Sequence, residues 1–124
     1  MRLTGSLGLV ALIGLGLGLG LATPAMAEFA TVSDRGTFLR LVQGKVLSRP
    51  LVQLQVSPDG RITGRGARWD VTGTWSWQDG YFCRDINWGG DELGYNCQRV
   101  AAKGDRIRFT SDRGAGQSAD FRLR

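Results

Sequence analysis

The sequence predicts a mainly β protein: a small antiparallel meander closing into a barrel or sandwich, with one short N-terminal helix and one disulfide. Three observations carry that expectation. Apolar and polar residues alternate along Trp69–Gln78 and along shorter runs on either side, which is the period of half-buried strands. Turn signals separate those runs at close spacing: Ser57-Pro58-Asp59-Gly60, Asp79-Gly80 and Lys103-Gly104-Asp105. Two cysteines, Cys83 and Cys97, allow only one pairing.

Residues 1–27 read as a cleaved signal peptide and residues 28–124 as a single β-rich domain. Arg2 precedes an apolar run, Leu7 to Ala22, which is 16 residues long. A membrane-spanning helix needs about 20. The run is rich in glycine and is followed by Thr23-Pro24, and Ala25 and Ala27 occupy the −3 and −1 positions of an A-x-A cleavage site. Cleavage there leaves Glu28 first, no stable membrane span, and a periplasmic or secreted location.

The helix is expected within Ser33–Gly44. Phe38, Leu41 and Val42 fall on one face, Ser33 or Asp34 can cap the start, and Gly44 can close the end. Such a helix would lie over a sheet. After Pro50 the period becomes two, with Val52, Leu54 and Val56 alternating with glutamines. Ile62 continues beyond the Ser57–Gly60 turn. Trp69, Val71, Gly73, Trp75 and Trp77 then share one face of a long strand.

Asp79-Gly80 turns that strand back into Tyr81–Trp88, a hairpin signal. Two registers are open. A two-residue loop pairs Trp77 with Phe82 and puts Arg84 across from Trp75. A three-residue loop with a bulge pairs Trp77 with Tyr81 and puts Cys83 beside Trp75. The bulged register is favoured because it buries the cystine against the tryptophans. Further on, Leu93, Tyr95 and Cys97 alternate, then Ile107 and Phe109, then Ala119, Phe121 and Leu123 beyond a glycine-rich loop. Six or seven strands result, in an antiparallel meander.

Composition narrows the chemistry. The chain has no histidine, which excludes histidine-based acid–base catalysis, serine and cysteine triads and ordinary zinc sites. The cysteine spacing is not C-x-x-C, so a structural disulfide is expected rather than a redox pair. No Walker loop occurs. Gly14, Gly16, Gly18 and Gly20 fail the dinucleotide-binding spacing and lie in the leader. No cofactor, metal or catalytic residue is assigned. Asp91-Glu92 lacks the spacing of a calcium loop. Taking Arg2 from the 16 basic residues leaves 15 against 11 acidic ones, a net charge of +4. The two signs are interspersed, which suits solubility and argues against nucleic acid as a partner.

The aromatic residues carry the sharper expectation. Trp69, Trp75 and Trp77 read as core because they alternate strictly. Trp88 borders Gly89-Gly90 and reads as exposed. Arg84, Trp88, Asp91 and Tyr95 are the candidate ligand-binding residues, with an envelope component or small ligand as partner. The expected function is a non-enzymatic binding or interaction module. The alternatives are an enzyme that uses carboxylates and a structural accessory of the cell envelope.

Four stretches carry a resemblance: Val32-Ser33-Asp34-Arg35; Arg49-Pro50-Leu51-Val52; Gly73-Thr74-Trp75-Ser76-Trp77 through Tyr81-Phe82-Cys83-Arg84-Asp85; and Phe109-Thr110-Ser111-Asp112 with Gly114-Ala115-Gly116. Together they resemble a group of small exported bacterial proteins of unknown function. Some of these bear the name dihydrodipicolinate reductase. That activity belongs to a two-domain enzyme with a Rossmann domain and a histidine-rich catalytic motif, and this chain has neither. The resemblance implies size and compartment, with no chemistry attached.

Overall fold

A computed structural model describes residues 28–124; the signal-peptide reading of residues 1–27 lies outside the described residues. The chain forms β1 (Ala30–Val32), α1 (Arg35–Val42), β2 (Leu47–Arg49), β3 (Val52–Val56), β4 (Arg61–Gly66), β5 (Trp69–Gln78), β6 (Tyr81–Trp88), β7 (Asp91–Lys103), β8 (Arg106–Thr110) and β9 (Ser118–Leu123). A 3₁₀ turn, Asp112–Gly114, lies between the last two strands.

Every ladder is antiparallel. Strands β2 to β9 pair in sequence order, and β2 pairs with β9 to close an eight-stranded barrel. The expected meander is therefore a barrel and not a sandwich. With β1 the described residues form nine strands, eight of them in the barrel, rather than six or seven, because β1 and β2 are three residues each and too short to show alternation. Strand β1 continues the β6 edge of β7, pairing Ala30–Val32 with Val100–Ala102.

Helix α1 starts where Asp34 accepts the Thr37 N–H at 2.9 Å. A helix this short has little stability of its own and is held by packing. Phe38 and Val42 are fully buried. The Phe38 ring lies 5.1 Å from both Trp77 and Phe82, 5.4 Å from Trp75 and 6.3 Å from Phe109. The helix thus plugs one end of the barrel instead of lying on a sheet face. Trp75 also ties the β3–β4 turn to this end, donating its indole N–H to Ser57 O at 2.9 Å.

The hairpin register corrects the sequence reading. Trp77 pairs with Phe82, Trp75 with Arg84 and Gln78 with Tyr81. The loop is the two residues Asp79 (φ 53°) and Gly80 (φ 86°), the positive-φ pair whose twist matches that of the flanking strands. Cys83 consequently lies on the outer face, across from Cys97, and the two form the disulfide. The cystine ties β6 to β7 on the outside wall and does not pack beside Trp75.

The alternation of Leu93, Tyr95 and Cys97 is also broken. Ile86 pairs with Gly94 and Asn87 with Glu92, so Leu93 is an extra residue in a bulge. Gly94 (φ 83°) supplies the left-handed conformation there.

Candidate functional site

The inner face of an eight-stranded barrel is either filled by side chains or leaves room for one small ligand. Both occur here, at opposite ends. The helix end is filled by Phe38, Trp75, Trp77, Phe82 and Phe109. The other half holds a cavity of about 410 Å³. That volume is within the roughly 300–1,000 Å³ of small-molecule pockets.

Four loops surround the open end: β2–β3, β4–β5, β6–β7 and β8–β9. The cavity wall is mostly apolar. Leu54, Val56, Ile62 and Val71 form one side, and Ile86, Phe109, Ala119 and Phe121 another. Its polar members are Arg49, Arg84 and Gln98, and neither Asp nor Glu lines it. Gln98 is nearly buried and donates to Ser111 Oγ at 3.3 Å.

Arg84 is half-buried and points inward, as its pairing with Trp75 requires. Its guanidinium donates to Gly94 O at 2.7 Å. Burial lowers its pKa from the ordinary arginine value, and the nearby Asp85 carboxylate opposes that shift. Arginine nonetheless stays protonated, so Arg84 is a permanent cation inside the wall.

Trp88 is also on the inner face, paired with Val71. It is half-buried, contrary to the expected exposure, because a neighbouring strand leaves space for its ring. A Cβ at Gly66 would overlap the Trp88 indole, so only glycine permits this approach. Trp69 departs from the core reading in the opposite sense. It is 50 % exposed at the rim, where the Arg68 guanidinium lies 5.5 Å from its ring.

The structure thus brings together two of the four sequence candidates, Arg84 and Trp88. Asp91 begins β7 at the rim, exposed, and does not line the cavity. Tyr95 is on the outer face, where its hydroxyl accepts from Gln78 Nε2 at 3.1 Å beside the cystine. Sequence reasoning missed Arg49, Leu93 and Gln98. Gln98 carried a signal, since it shares a face with Val100 and Ala102, but the bulge hides that face. Leu51 was missed as well. It is 77 % exposed on the β2–β3 turn at φ 66°, a conformation unfavourable for leucine. With Trp69 and Leu93 it gives the open end an apolar rim.

Among the described residues no cluster of His, Cys, Asp and Glu could hold a metal ion, and no helix is long and apolar enough to cross a membrane. No family model matches the chain, and comparisons with curated proteins and with solved structures find no significant similarity.

Proposed function

We propose that this protein is a non-enzymatic binding module that holds one small, mainly apolar ligand inside its barrel. The observation that carries the reading is the cavity itself: about 410 Å³, apolar-walled, with Phe82 and Phe109, which pack on Phe38 of α1, and Leu93 in its lining, and with Leu51 and Trp69 exposed on the loops of the open end. An exposed leucine held at positive φ supports a role for that rim, since strain of this kind concentrates at ligand clamps. A carboxylate-using enzyme would need two acids converging on the pocket, and the lining supplies none. Export after cleavage at Ala27, to the periplasm or medium, belongs to the same proposal and is supported by the Cys83–Cys97 disulfide.

The test is calorimetric titration of 1-octanol into protein purified after expression of the full chain. One saturable site is expected. Filling the cavity by Ile86→Trp should abolish it. No saturable binding, or binding unchanged in Ile86→Trp, removes the barrel interior as the site.

A further inference from the structure

Arginines stand on both faces of the barrel wall; Arg49, Arg61, Arg99 and Arg106 join no ion pair among the described residues but are exposed to water, whereas Arg84 is half-buried. On the outer face, where water alone would solvate them, Arg65 pairs with Asp70 at 2.9 Å, Arg108 with Asp120 at 2.7 Å and Arg122 with Asp105 at 3.8 Å. Arg84, turned into the apolar interior, takes part in none of the ion pairs found among the described residues. Its protein acceptor is a neutral carbonyl, Gly94 O. A guanidinium has five N–H donors in a planar fork, so donors remain for another partner. Asp85 acts on Arg84 only from outside the cavity lining; leaving a cation partly desolvated with no carboxylate in contact is costly, and this inward charge is therefore a feature to be explained by what enters the cavity.

Resting on the reading of the barrel interior as a ligand site, we infer that the ligand is a single-chain monoanionic amphiphile: a carboxylate that docks on Arg84, with an apolar tail against the barrel wall. Of the two arginines in the lining only Arg84 is half-buried, Arg49 being exposed, and one desolvated cation matches one negative charge. The carboxylate fits the guanidinium fork through two parallel hydrogen bonds. Ile62, Val71 and Phe109 offer the tail an apolar surface. A cavity of about 410 Å³ has room for roughly a dozen non-hydrogen atoms at about 30 Å³ each, by analogy with water. Arg49 stands at the entrance with its guanidinium 5.6 Å from the Phe121 ring, a second positive charge on the path inward.

Octanoate and 1-octanol share a tail and differ in the head group. A purely apolar cavity ranks the alcohol first, because a carboxylate is far costlier to desolvate. Calorimetric titration of both into protein made from the full chain should show the reverse order, with octanoate about tenfold or more tighter, as a charge-assisted pair allows. Arg84→Met should restore the apolar order while still binding octanol. Arg84→Lys, which keeps the charge but not the fork, should retain a reduced preference for octanoate and covers the case in which the methionine variant does not fold. Octanol binding tighter than octanoate in the natural protein, or a preference unchanged in both variants, overturns the anion assignment and leaves the apolar site standing. Binding of neither compound overturns both readings.

Discussion

Replacing Phe38 by alanine should unseat the plug. Phe38 is fully buried, and four aromatic rings surround it with centroids between 5.1 and 6.3 Å away. Phe→Ala at such a site costs about 3–5 kcal/mol, from lost transfer free energy and the cavity left behind. The upper half of that range applies here, because the surrounding side chains come from strands of a closed barrel and cannot easily collapse inward. The helix has no independent stability to fall back on. The 97 residues from Glu28 to Arg124 have an unfolding entropy of about 0.2 kcal/mol/K, so a loss of about 4 kcal/mol lowers Tm by about 20 °C. Such a loss is a large share of a total stability of about 5–15 kcal/mol. Circular dichroism melts with the disulfide intact measure it. Leu51→Ala, at an exposed rim position, is the control and should stay within about 0.5 kcal/mol. A Phe38→Ala melt within about 4 °C of the natural protein would refute the assignment of α1 as the plug.

Two further outcomes follow from the outer wall. Cys97→Ala should lower stability by about 3 kcal/mol, the loop-closure value for a separation of 14 residues, and the natural protein should show no titratable thiols; a denaturant midpoint unchanged by the substitution would contradict this. The second concerns acid. The Arg108 hydrogen bonds hold the Asp120 carboxyl below its ordinary 3.8, and the Thr37 N–H does the same for Asp34. Both carboxyls are thus more acidic folded than unfolded. Their contribution is complete above about pH 4 and is lost as pH falls through the lower folded values. Melting temperature plotted against pH should decline below pH 4, and Asp120→Asn should show a shallower decline; parallel curves would count against the Arg108–Asp120 pair.

Much of the fold was legible because the long strands announce themselves. The alternation from Trp69 to Trp77 exposes one apolar face, and Asp79-Gly80 marks the hairpin. The choice between barrel and sandwich was not legible, since it depends on the three-residue β2 meeting β9 far along the chain. The hairpin register turned on a single residue of loop length, and a one-residue slip exchanges the two faces of a strand. That slip decides the site as well. In the observed register Arg84 shares the inner face with Trp75, whereas the bulged register would put Cys83 there. Arg84 and Trp88 could be named as candidates from their residue types and neighbours. Their position inside a cavity follows only from closure, and the rim residues Leu51 and Leu93 depend on a turn and a bulge with no clear local signature.

The way the ladder closes also sets the order in which this protein can assemble. Seven of the nine ladders join strands adjacent in sequence, so each forms as a local hairpin. The β2–β9 seam instead brings Leu47 to Leu123 and Ser48 to Arg122, with Val46 and Arg124 exchanging two hydrogen bonds beyond them. Closing so long a loop carries an entropic cost that the hairpins avoid. The meander can therefore zip from its central hairpins outward, with the seam forming last and opening first. Until it forms, the interior is an open trough and cannot enclose anything. Amide exchange should be fastest along Val46, Ser48 and Arg122 relative to the β5–β6 ladder, and the inner cavity becomes a property of the completed ring alone.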